Sequence, residues 1–142
     1  MIYTVDNTTL TNLITEEISR IAAAAYSDDG TPLYDSVAIH SRDAETVSRM
    51  IRDAIDSLAR RTSDICTVIP SPYKLSFYAP DMDSTKETMV SNELTRAITL
   101  RACVLWLSEK LPSRAEEYSA RADNALQNAV YMLKTRTQPT LV

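Results

Sequence analysis

The stretch from Ser84 to Leu111 constrains the fold of this chain more than any other. At about 100° per residue, Val90, Leu94, Ala97, Ile98, Ala102 and Leu105 fall on one stripe of a helix, while Met89, Leu100, Cys103, Val104, Leu107 and Leu111 gather on nearly the opposite one. A helix that is apolar on two sides has to run through the middle of an assembly of elements. Ser84 and Glu87 have the spacing of a capping box, which predicts where that helix starts. Pro112 has no amide and disfavours helical geometry at Leu111, which predicts where it stops.

Three further amphipathic segments supply neighbours for it. Asp6, Asn7 and Thr8 offer N-caps for a first helix reaching about Tyr26, with Leu10, Leu13, Ile14, Ile21, Ala22 and Ala25 on one stripe, Glu17 among them and Ile18 at the edge. The alanines from Ala22 to Ala25 give that helix a smooth surface for close approach by a neighbour. Ser27-Asp28-Asp29-Gly30-Thr31-Pro32 is a turn cluster, and the chain reverses or runs irregularly from there to about His40. Ser41 can cap a second helix with Val47, Met50, Ile51, Ala54, Ile55 and Leu58 on one stripe. Its other face carries Arg42, Arg49, Arg52, Asp53, Asp56 and Arg60, which reads as a solvated face or as a strip touching nucleic acid or an acidic partner. Ser113 can cap a last helix to about Thr135, with Tyr118, Ala122, Ala125, Leu126, Ala129, Val130 and Leu133 inward and Lys134 and Arg136 at the negative end of its dipole.

Between the second helix and the central one the period changes. Ile65, Val68 and Ile69 are β-branched, Pro70-Ser71-Pro72 interrupts, and Tyr73, Leu75 and Phe77 alternate with Lys74, Ser76 and Tyr78. The spacing predicts two short strands forming an arm over residues 64–80. The prolines argue against a two-residue hairpin turn and suit edge strands or an extended arm. A lone hairpin is marginal in water, so the arm has to lie on the helices or join strands of another chain. Tyr73, Lys74, Phe77 and Tyr78 are therefore candidates both for internal packing and for partner contact. The expected fold is mainly α, a single domain over residues 1–142: a four-helix bundle-like body, a β-hairpin or extended arm, and a tail over residues 136–142.

Composition bounds the function. Hydrophobic residues at 44% and charged residues at 24% are ordinary for a chain that folds, and 142 residues suffice to bury a core without staples. A net charge of −4 gives no general attraction to nucleic acid or anionic lipid. Cys66 and Cys103 make no CxxC or metal-ligand spacing and read as small hydrophobes in a reducing, cytoplasmic setting. The amino-terminal residues do not read as a secretory signal, and the longest apolar run, Ala102 to Leu107, is too short to cross a bilayer, so a soluble protein is expected.

Chemistry finds little purchase. With one glycine, the chain lacks the phosphate-cradling and dinucleotide-binding loops. His40 is the only histidine and stands just before a helix cap, where a surface loop role is expected. Asp81-Met82-Asp83 has the start of a carboxylate metal site but no DxG continuation, so Asp83 is read as helix N-terminal charge. Glu16-Glu17 and Glu116-Glu117 lack the Glu-x-x-His partners of di-metal bundles. No catalytic, cofactor or metal residue is assigned. Arg101 stands out, because it falls within the Leu94, Ile98, Leu105 stripe, where an unpaired cation is costly. It must pair with a carboxylate, carry its head to the edge, or sit at a subunit boundary.

Two helices, a proline-interrupted β arm, a central apolar helix and a final amphipathic helix together resemble the head–tail connector, or neck adaptor, proteins of tailed bacteriophages. The likeness is clearest in the run from Glu93 to Leu107, which looks like that family's buried helix, and in the alanine-rich segment from Ser113 to Thr135. The resemblance implies a non-enzymatic virion protein of a phage or prophage, assembled in the host cytoplasm. It also implies a homo-oligomeric ring, commonly of twelve copies, that joins the portal to tail components without membrane or specific nucleic-acid binding. By position it makes the arm, Arg136 and the tail the docking segments, and the helical body the subunit contact. The other reading of the residues is a small helical adaptor or nucleic-acid-associated regulator using the Arg42 to Arg61 face.

Overall fold

The computed structural model describes residues 1–70, 73–80 and 82–134. In chain order these form β1 (Ile2–Thr4), α1 (Asn7–Ala23), the short α2 (Tyr34–Val37), α3 (Ala44–Arg61), β2 (Cys66–Pro70), β3 (Tyr73–Phe77), α4 (Glu87–Lys110) and α5 (Pro112–Lys134). The protein is mainly α, four long helices with a hairpin between α3 and α4, as expected.

The two-sided helix is central. α4 packs against α1, α2, α3 and α5, and Val90, Leu94, Ile98, Ala102, Cys103 and Leu107 are fully or almost fully buried along it. Its first turns are less enclosed than the stripes imply, since Met89 is 58% exposed. Its start also differs from the expected Ser84 box. The Asp83 carboxylate accepts from the Thr85 amide at 3.0 Å, a 3-10 turn spans Ser84–Lys86, and the α-helix begins at Glu87. The second helix enters the same way, through a 3-10 turn over Ser41–Asp43, with the Asp43 carboxylate accepting from the His40 amide at 2.9 Å.

Pro112 ends one helix by opening the next. It is the first residue of α5, where its missing amide leaves no bond unmade, and so Ser113 is not the cap. The first helix stops at Ala23 rather than Tyr26. Asp29 ties the following turn by accepting from the Thr31 amide at 3.0 Å and from the Thr31 and Ser27 hydroxyls, and Gly30 adopts φ 84°, a left-handed conformation open to glycine. Ile18, placed at the stripe's edge by periodicity, is fully buried.

The hairpin is part of a larger sheet. β3 pairs antiparallel with β2 on one side and with β1 on the other, aligning Tyr3 with Leu75 and Leu75 with Val68. The arm is thus completed by the chain's own first residues, a strand the sequence did not announce. Pro70 pairs with Tyr73, so two residues separate the paired positions despite the prolines. The side chains of Tyr3, Leu75 and Phe77 enter the core, and Tyr3 Oη lies 2.8 Å from Thr95 Oγ1 on α4. At the opposite end α2 is fastened by Trp106, whose Nε1 donates to the Val37 carbonyl at 2.7 Å, and by Lys110, which donates to the Ser36 carbonyl at 3.0 Å.

Candidate interaction site

The sheet end collects the residues singled out in the arm, and it divides them. Phe77 is 2% exposed and belongs to the core. Tyr73 is held by α3: its hydroxyl donates to Asp56 at 3.0 Å and the Arg52 guanidinium lies 5.4 Å from its ring centre. Burial and then the Asp56 carboxylate push its phenol up to about 12. Lys74 is half-buried and, aligned with Ile69 and Thr4, stands in the sheet row facing away from Leu75. Tyr78 is the outward one, 73% exposed, while its amide donates to the Ile65 carbonyl at 2.7 Å and fixes its backbone. Arg136 and the 136–142 tail lie outside the described residues.

The outward surface at this end is wider than the arm. β2 is an edge strand, with β3 on one side and no strand on the other among the described residues. Val68 stands in the inward row beside Leu75 yet overhangs the edge and is half-exposed. Ile2, Met89 and Tyr131 are also exposed there, and Lys134 pairs with Asp64 at 2.8 Å, drawing the last turn of α5 to the foot of β2. A second exposed pair, Tyr26 and Tyr34, lies at the α2 end. The exposure of Ile2 and Val68 follows from strand pairing across the chain and leaves no mark in either segment alone.

Arg101 turns out to be internally paired. It donates to Asp123 on α5 at 2.6 Å, with Ser119 at 3.4 Å, and the same Asp123 oxygen accepts from Arg61 of α3 at 2.7 Å. The Arg61 bond, then the charges of both guanidiniums, hold the Asp123 carboxyl below the usual carboxylate range against a partial desolvation. Glu17, the polar member of the α1 stripe, accepts from the Tyr118 hydroxyl at 3.0 Å and pairs with Arg20 at 3.2 Å. The α3 face carries Arg42, Arg49, Arg52 and Arg60 exposed, interleaved with Asp53 and Asp56.

The reactive groups are dispersed. Burial, and next the charge of Glu17, push the Cys103 thiol up to about 12, and burial raises Cys66 as well. His40 Nε2 donates to the Asp35 carbonyl at 3.0 Å. Asp83 serves as a helix cap, its carboxyl lowered first by the Thr85 amide. Among the described residues no three His, Cys, Asp or Glu side chains converge to hold a metal, and no helix is long and apolar enough to cross a membrane. Compared with protein families, curated proteins and solved structures, the chain matches none. The geometry therefore has to speak for itself.

Proposed function

We propose that this protein is a non-enzymatic structural subunit that assembles into a ring, and that it serves as the head–tail connector of a tailed phage or prophage, joining portal to tail. The observation that carries the reading is the free edge of β2, flanked by exposed Val68 and Tyr78, at one end of a helical body whose core is closed. An open strand edge beside apolar side chains suits pairing with another chain. Exposed apolar groups at two separate ends, Tyr26 and Tyr34 against the sheet-end set, also suit head-to-tail contacts, which close into rings where the rotation permits. An acidic balance suits a channel through which DNA slides. On this reading the protein resides in the virion neck.

Light scattering over a wide concentration range with negative-stain imaging tests it, followed by mixing with a portal complex. Rings, or a subunit captured by the portal, are the expected result. A monomer at every concentration that also ignores the portal overturns the reading.

The exposed Arg42, Arg49, Arg52 and Arg60 on α3 favour a second reading, a regulatory module touching nucleic acid. Its mark is DNA binding by the monomer that weakens steeply as salt rises.

A further inference from the structure

A cleft of about 490 Å³ opens between α1, α4 and α5, within the size of small-molecule sites, roughly 300–1,000 Å³. Its apolar lining comes from Leu13 and Leu100, and its polar lining includes Thr99. Thr99 is 6% exposed, and its Oγ1 is buried with no hydrogen-bond partner among the described residues. A buried hydroxyl without a partner is destabilising, and it marks a place where a group from outside can be received.

The charges around it are arranged in two sets. Arg20 is neutralised by Glu17 at 3.2 Å, and Glu17 also receives the Tyr118 hydroxyl. Arg121 lies over the Tyr118 ring, 5.1 Å from its centre, and has no carboxylate partner among the described residues. Arg96 on α4 and Glu16 on α1 have neither ion pair nor hydrogen bond among the described residues. A multiply charged anion such as phosphate meets Glu16 and Glu17, and a simple cation meets three guanidiniums. A molecule with one charge of each sign matches both walls.

We propose that this cleft binds a small zwitterion of the amino-acid type, its carboxylate held by Arg96 and Arg121 with the Thr99 hydroxyl donating to it, its ammonium facing Glu16 and its apolar part resting on Leu13 and Leu100. Planar guanidiniums suit a carboxylate, and the water-poor floor strengthens the bond from Thr99. The proposal concerns the free subunit and does not depend on ring assembly.

Calorimetric titration of the full chain with L-leucine and L-glutamine, against acetate, butylamine and inorganic phosphate, tests it. Saturable binding of at least one amino acid is expected, tighter than acetate or butylamine, with none for phosphate. Arg96→Gln, an exposed substitution that leaves the fold intact, should weaken amino-acid binding roughly tenfold, as the loss of one charge-assisted hydrogen bond requires. Thr99→Val should raise the unfolding midpoint of the free protein while weakening the amino acid. Absence of saturable binding for both amino acids, equal or tighter binding of phosphate, or affinities unchanged in Arg96→Gln overturns the proposal.

Discussion

Arg101 on α4 and Asp123 on α5 form an ion pair at 2.6 Å, and through the same carboxylate oxygen Arg61 joins from α3 at 2.7 Å. One acidic side chain thus gathers three helices at the point where a cation interrupts an apolar stripe. Asp123→Asn leaves both guanidiniums facing a neutral amide and should cost about 1–2 kcal/mol, a charged hydrogen bond discounted for partial exposure. Arg101→Met should cost less, because Asp123 keeps Arg61 and the methionine fits the stripe. Urea midpoints of the two variants and the double variant measure the coupling, and additive losses would show that the pair contributes nothing.

The same carboxylate sets a pH dependence. Its folded pKa lies below the ordinary aspartate value, so the stability it contributes is present above the unfolded pKa and is lost as pH falls through the folded one. Wild type should therefore exceed Asp123→Asn in stability at neutral pH, with the gap closing in the acid range below about pH 4. Denaturation of both proteins at neutral and acid pH reads this directly. A gap that stays constant would place the effect elsewhere than the charge.

The helical part of the fold was legible because its signals are local. The two stripes of α4, the stripe of α3 and the break at Pro112 each lie within one segment, and each element forms where its period indicated. The sheet was half legible. The alternation from Tyr73 to Phe77 shows a strand, but β1 is three residues long, too short for any alternation to register, and its partner lies some seventy residues away in sequence. Helix starts shifted because an aspartate or histidine one residue earlier caps through a 3-10 turn as readily as the serine does. Arg101 announced a constraint without naming its partner, since Asp123 is one of several acids on α5 and only the crossing of the two helices selects it.

β1 is predicted to be part of the core rather than an appendage. Tyr3 is 5% exposed, so Tyr3→Ala should cost about 3–5 kcal/mol, the range for deleting a buried aromatic side chain. Tyr3→Phe keeps the ring and removes only the bond to Thr95, with a loss of about 1 kcal/mol. Thermal unfolding of the two variants separates packing from hydrogen bonding. Equal, small losses would mean that the strand adds little to stability.

The two thiols should differ in reactivity. Cys103 is fully buried with its thiol raised to about 12, whereas Cys66 is half-buried on the edge strand with a thiol raised by burial. The thiolate is the reactive form, so a thiol reagent near neutral pH should modify Cys66 slowly and Cys103 only on unfolding. Two equal native rates would indicate that α4 opens as easily as the sheet edge.

The sheet end offers the sharpest division between folding and assembly, because adjacent residues of one strand exit face opposite ways. Phe77 is buried beneath the sheet and Tyr78 is 73% exposed above its edge, so Phe77→Ala should cost about 3–5 kcal/mol and Tyr78→Ala within about 0.5 kcal/mol. If β2 pairs with a neighbouring chain, Val68→Lys places a charge at the overhanging edge and opposes that pairing while leaving the core intact. Tyr78→Ala and Val68→Lys should then retain the wild-type unfolding midpoint and lose assembly or portal capture, read by light scattering and co-sedimentation. Assembly that survives both substitutions would move the contact away from the sheet edge, to the helical body or the α2 end. Loss of fold in either variant would show instead that the edge is closed within the chain, because an exposed side chain free of the core has no packing to lose.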